Sequence, residues 1–404
     1  EDVKNTILTM ARTGAEPTAA MGIDIPLAVL SDHQQPLFNY FKQLFAQVTN
    51  PPIDAIRESV VTDTTVYVGN DGNLLEETAD NAHALQIPKP ILTSVELMKI
   101  KAMKKPGFQV ETVSILYYKN TPLKRALDRL FVTVDRAYRH GANIVVLSDR
   151  GVDENHVAIP SLLAVSAVER YLIRTKKSSA VSIVLESAEP RDVQHFAALL
   201  GYGARAVNPY LAHDTIGSLI DQGLLDKDYH TAVRDYNEAI LGGIVKIASK
   251  MGISTIQSYQ SAQIFEAVGI DKSVVDEYFT GTLSRVGGIG LREIEQLVDA
   301  HHSRAFDPPG LGGDPTLDSV GEHKARAGEE DHMYNPEVIH LLQEAAWNGD
   351  YALYKQYASL VDDAAKPHTL RGLMEMRYLP EPIPLSEVEP VESIVKRFKT
   401  GAMS

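Results

Sequence analysis

The chain has 404 residues, 44% of them hydrophobic, and a formal net charge of -14, which is more than one ordinary domain with ample apolar material for a core. Acidic residues are spread along the chain with no block of Lys or Arg, which argues against nucleic acid or an anionic membrane as partner. Cysteine is absent, which excludes disulfides, thiolate ligation of zinc or iron–sulfur clusters, and a cysteine nucleophile. No apolar run approaches the ~20 residues that span a bilayer. The start, Glu1-Asp2-Val3-Lys4, has neither an initiator Met nor a signal-peptide profile, so the chain is expected to be cytoplasmic and cut from something longer.

In chain order, Pro26 to Val48 reads as helical structure after a loop, ended by Pro51-Pro52, and Gly69-Asn70-Asp71-Gly72-Asn73 reads as a turn between two short runs. From residue 113 short β-branched runs alternate with longer amphipathic stretches. Strands are predicted at 113–118, 144–147, 181–185 and 204–207, with helices at 122–138, 159–173, 193–200, 212–222 and 229–250. A short strand near Ser254-Thr255-Ile256 and a helix from Ser261 to Val268 follow. The runs are apolar enough to be buried on both faces, so the expected class is α/β: a mostly parallel sheet resembling an incomplete or degenerate (β/α) barrel. The Pro- and Gly-rich, charged stretch 303–333 reads as a linker. Beyond it, helices are predicted from Asn335-Pro336 to Trp347, from Tyr351 to Leu360, and near Val391 to Phe398, as a helical lead into a second barrel.

Ligands of parallel βα folds bind at the carboxyl ends of strands, so Ser148, Asp149, Arg150, Glu186 and Asn208 are the first candidates for chemistry. Polar strand ends also serve merely to satisfy loop backbones, and the sequence leaves both readings open. Thr282 to Gly290 is a glycine-rich loop feeding a helix, which fits either a phosphate cradle or a tight packing turn. His301-His302, the group His323, Glu329, Glu330, Asp331 and His332, and the pair Glu337 and His340 invite a metal reading. The first two lack recognised ligand spacing, and Glu337 and His340, three apart as in di-iron bundles, lack the second Glu-x-x-His pair such a site needs, so no metal site is expected.

Longer stretches carry a more specific signal. Pro26 to Ser31, Tyr40 to Asp54, Ile159 to Ala164, Gly201-Tyr202-Gly203-Ala204, Val207 to Leu211, Lys250 to Ser254 and Thr282 to Leu291 together resemble the central domain of glutamate synthase large subunits. Tyr334-Asn335-Pro336-Glu337, Pro382 to Leu385, Glu387 to Pro390 and Thr400 to Ser404 are similar to the entry into the flavin-binding synthase domain of that family. One departure stands out: the family often carries histidines after Ala167-Val168, where this chain has Glu169-Arg170-Tyr171.

The resemblance implies a division into a central domain, 1–302, a linker, 303–333, and the N-terminal segment of an FMN-binding domain, 334–404. It implies a parent enzyme that makes L-glutamate from glutamine and 2-oxoglutarate, with ammonia channelled from an amidotransferase domain to an FMN barrel. FMN and an iron–sulfur cluster are cofactors of that parent. Its electrons come from ferredoxin or a pyridine-nucleotide-dependent subunit, and it resides in the cytoplasm or, in plants and algae, the plastid stroma. For this chain the implied role is a non-catalytic connecting module, holding no cofactor itself. Gly401, Ala402, Met403 and Ser404 would reach FMN at the end of the first barrel strand. The alternative is an independently active βα enzyme binding a phosphorylated ligand or flavin.

Overall fold

The computed structural model describes residues 1–19, 22–44, 52–306, 317, 319–362 and 367–399. Its strands are β1 (Phe41–Gln43), β2 (Val66–Val68), β3 (Leu85–Ile87), β4 (Val110–Ser114), β5 (Leu116–Tyr118), β6 (Ile144–Ser148), β7 (His156–Ala158), β8 (Ser182–Glu186), β9 (Ala204–Asn208), β10 (Phe265–Ile270) and β11 (Leu283–Ile289). Strands β4, β6, β8 and β9 form a four-stranded parallel sheet in that order. All five residues of β6 and of β8 are buried, because helices cover both faces, and this is why these runs read as continuous apolar segments. The Leu123–Arg139 helix buries Leu123, Ala126, Leu127, Leu130, Phe131, Val134 and Ala137, a stripe at helical spacing that faces the core. Helices Ser161–Arg174, Val193–Gly201, Tyr210–Asp221 and Tyr229–Lys250 complete the βα series. The architecture is α/β with an open parallel sheet, and no closed barrel forms among the described residues.

Pairing in the sheet sets the stage for the site. Ser114 lies opposite Ser148, Ser148 opposite Glu186, and Glu186 opposite Asn208, so the last residues of the four strands stand in one row.

Several expectations are corrected. The run 113–118 is two strands: β4 joins the parallel sheet, whereas β5 turns away and pairs antiparallel with β7. The stretch from Ser261 to Val268 is not a helix. Its alternate residues Phe265 and Ala267 are buried on one face of β10, which is held between antiparallel β1 and parallel β11; sheet pairing overrides a short apolar run that fits either period. The expected strand at Ser254-Thr255-Ile256 reduces to a single bridge, Asp63 to Thr255, before the helical turn Ile256–Tyr259. Pro26 to Val48 forms two 3-10 turns, Ala28–Leu30 and Leu37–Tyr40, and then β1, with residues 45–50 outside the described set.

Toward the C-terminus, the Leu291–Phe306 helix extends into the stretch read as linker. Helices Pro336–Asn348, Tyr351–Asp362 and Val391–Arg397 lie where the sequence predicts them. The first opens with an Asn335 cap, whose side chain accepts from the Val338 N–H, and closes on left-handed Gly349. No described helix is long and apolar enough to cross a membrane.

Candidate functional site at the strand ends

Of the residues that end or follow the parallel strands, Ser148, Arg150 and Glu186 bind one another. Glu186, buried at the end of β8, accepts from Lys101 Nζ at 2.6 Å and Ser148 Oγ at 2.7 Å on one oxygen, and from Arg150 Nε at 2.7 Å on the other. Burial alone pushes its pKa up, but the hydrogen bonds from Lys101, Ser148 and Arg150 outweigh that and hold it below the usual glutamate range. The Arg150 guanidinium lies 3.9 Å from the centre of the Tyr210 ring, so its second face is packed as well.

Asp149 is turned the other way. Its carboxylate accepts from Ser187 Oγ at 2.6 Å and from the Ala188 N–H at 2.9 Å. Burial pushes its pKa up, opposed by Ser187, Ala188 and Tyr210. Glu189 accepts from the Ser161 N–H at 2.6 Å, at the start of the Ser161–Arg174 helix, where a negative charge is favoured. Asn208 donates from Nδ2 to the Leu92 carbonyl at 2.9 Å, tying the 90–92 segment along β9. Ser148, Arg150 and Glu186 thus meet, whereas the Asp149 and Asn208 side chains bond groups outside the predicted set, and Asn208 Oδ1 is buried with no hydrogen-bond partner. Lys101, Ser187 and Glu189 are the members that sequence reasoning missed. Lys101 lies 85 residues before Glu186 and has no local signal, whereas Ser187 and Glu189 directly follow a strand end and were within reach of the same reading.

The glycine-rich stretch is strand β11 rather than a loop. A Cβ on Gly288 would lie 2.2 Å from the Gly269 carbonyl oxygen of β10, so this glycine permits close approach of two backbones. The first turn of the following helix is already occupied by a carboxylate, since the Gly290 N–H donates to Glu293 Oε2 at 2.8 Å. That contact takes the place an external anion would have.

The histidine groups are also engaged. His302 Nε2 bonds the Asp153 carbonyl oxygen at 2.7 Å, Glu330 accepts from Ser31 and Gln35, and His332 bonds Asp24. His340 is paired with Glu344 one turn away. No group of three metal-ligating side chains gathers among the described residues. Gly401, Ala402, Met403 and Ser404 lie outside the described residues.

A family profile described as the glutamate synthase central domain matches residues 1–271. The chain belongs to that family. A second profile, a conserved region in glutamate synthase, matches residues 332–404. The whole chain is 45% identical to the glutamate synthase (NADPH) large chain of Bacillus subtilis, of which it covers 26%. It is 41% identical to ferredoxin-dependent glutamate synthase 2 of Synechocystis, covering 27% of it, and 39% identical to glutamate synthase (NADH) of Schizosaccharomyces pombe, covering 20%. The chain therefore spans a quarter or less of some of these glutamate synthases and only slightly more of others. Among solved structures, the flavin-binding domain of baker's yeast flavocytochrome b2 is 15% identical over 46% of this chain and 40% of that one, with a TM-score of 0.27, a likeness too slight to bear on fold or function.

Proposed function

We propose that the chain is the non-catalytic connecting module of a glutamate synthase: a central domain at 1–302, a linker at 303–333, and the opening segment of the FMN-binding synthase domain at 334–404. The parent would make L-glutamate from glutamine and 2-oxoglutarate, with ammonia passing from an amidotransferase domain of the same chain to the FMN domain. Fixed placement of two sites that share a small diffusible intermediate raises its effective concentration and limits its escape. One observation supports the reading for this module: at the carboxyl end of the sheet, where a βα enzyme would keep its reactive groups, the Glu186 carboxylate is engaged by Lys101, Ser148 and Arg150.

FMN and an iron–sulfur cluster belong to the proposed parent, and the described residues of this chain fit neither. At the sheet end Arg150 is taken up by Glu186 and the Tyr210 ring, and without cysteine there is no thiolate for a cluster. Flavin contact is proposed for Gly401, Ala402, Met403 and Ser404, on positional grounds. The electron donor of the parent would be ferredoxin or a pyridine-nucleotide-dependent subunit, since relatives carry both names. The compartment would be the cytoplasm or a plastid stroma.

The test is direct: the purified chain is given glutamine, 2-oxoglutarate and a reductant, and its visible spectrum is recorded. The expected result is no glutamate and no flavin absorbance. Turnover or a yellow protein would establish an independent enzyme instead.

A further inference from the structure

Asp24 and His332 are 308 residues apart in sequence and in direct contact. One lies in the region matched by the central-domain profile, and the other at the start of the second matched region. Asp24 grips three consecutive residues. Its Oδ1 meets His332 Nδ1 at 2.8 Å, its Oδ2 accepts from the Tyr334 N–H at 2.9 Å, and its carbonyl oxygen accepts from the Met333 N–H at 3.1 Å. The other ring nitrogen, Nε2, lies 2.6 Å from the Gly321 carbonyl oxygen. A carbonyl oxygen and an ionised carboxylate oxygen can only accept, so the two contacts are hydrogen bonds together only when both ring nitrogens carry a proton.

Neighbouring contacts close the same seam. Ser31 Oγ and Gln35 Nε2 donate to Glu330 Oε2 at 2.7 and 3.1 Å, and the Leu27 N–H donates to the His368 carbonyl at 3.1 Å. The short stretch from Asp24 to Gln35 therefore embraces the residues that lead into the second region.

We propose that Asp24 and His332 form a proton-dependent latch that holds the entrance of the second region against the central domain. The idea rests on the connecting-module reading and adds a mechanism by which the junction is held or released. Removing the ring proton leaves one nitrogen lone pair facing an oxygen, so one of the two contacts must break. The charged groups facing the ring are Asp24, from the N-terminal loop, and Glu1, which precedes the first helix. Burial acts to lower the pKa of His332, but the Gly321 carbonyl, Asp24 and Glu1 reverse this and hold the proton above the ordinary imidazole range. The latch is closed below that folded value and opens as pH rises through it.

The ring nitrogens of His332 in the intact chain are followed by 15N NMR from pH 6 to 9, alongside hydrogen exchange of Met333 and Tyr334 corrected for intrinsic rates. Both nitrogens should be protonated at pH 6, and protection of the two amides should fall about tenfold as the ring titrates. Asp24→Asn should lower the ring pKa, and His332→Gln should abolish the pH step. A neutral ring at pH 6.5, protection indifferent to its titration, or a step that survives His332→Gln would each overturn the latch. Such a failure leaves the module reading standing, because that reading is judged by turnover and flavin content.

Discussion

Ser148 and Glu186 face each other at the ends of neighbouring parallel strands, and the Ser148 hydroxyl donates to Glu186 Oε2 at 2.7 Å. The contact locks a buried carboxylate that also accepts from Lys101 and Arg150. Glu186→Ala strips two cations of their acceptor. Both are part-exposed and can turn toward water, so the expected loss is about 2–4 kcal/mol, against about 1 kcal/mol for Ser148→Ala. Urea unfolding of the two variants checks this; equal losses would mean that the ion pairs contribute nothing.

Acid titration should show the sign of the same network. Glu186 is held below its ordinary value of 4.5, so its contribution is present above that pH and is lost as pH falls through the folded value. Asp149 and Glu189 are pushed up by burial, so their ionisation opposes folding, and protonating them on the way down relieves that cost. As pH falls below 4.5, Glu186→Gln should lose less stability than the wild type. A steeper acid loss in the variant would reverse the assignment of Glu186 as the depressed group.

How far the sequence foretells this structure differs by element. Runs such as Ile144 to Leu147 and Val181 to Leu185 are legible because strands buried on both faces need unbroken apolar residues, and the long helices because their stripes repeat at helical spacing. Phe265–Ile270 is misread because six residues fit either period, and the decision belongs to distant partners, Phe41–Gln43 and Leu283–Ile289. At the site, Ser148, Asp149, Arg150, Glu186 and Asn208 are found by position alone. That Glu186 is neutralised by Arg150 together with Lys101 is not legible, because Lys101 arrives from a helix before the sheet begins.

The glycine-rich strand offers a separate check. Gly288→Ala places a methyl group against the Gly269 carbonyl, where neither backbone can yield cheaply. A loss of roughly 1–3 kcal/mol is expected. In the wild type, inorganic phosphate should leave the midpoint of thermal unfolding unchanged, because Glu293 already holds the Gly290 N–H. A phosphate-dependent rise in the midpoint that Gly288→Ala abolishes would restore the anion-cradle reading.

The proposed flavin contact is tested in the full-length parent. A Gly-Ala pair lets backbone approach a flat ring closely, and a branched side chain does not. Gly401→Val with Ala402→Val should lower FMN content and weaken its binding by about tenfold or more, the factor carried by roughly 1.4 kcal/mol of lost contact. Unchanged occupancy and affinity would remove Gly401, Ala402, Met403 and Ser404 from the site.

The central claim, that the strand ends of this module perform no chemistry, is tested most directly by Glu186→Gln in the full-length parent, assayed with free ammonia and 2-oxoglutarate under conditions where the variant remains folded. The amide keeps the shape and can still accept from Arg150 or Lys101, while removing the only charge that a general base at this position would need. The account predicts glutamate formation within about twofold of wild type. A fall of about a hundredfold or more in kcat, with the fold intact, is what loss of a general acid or base would produce, and it would contradict the account.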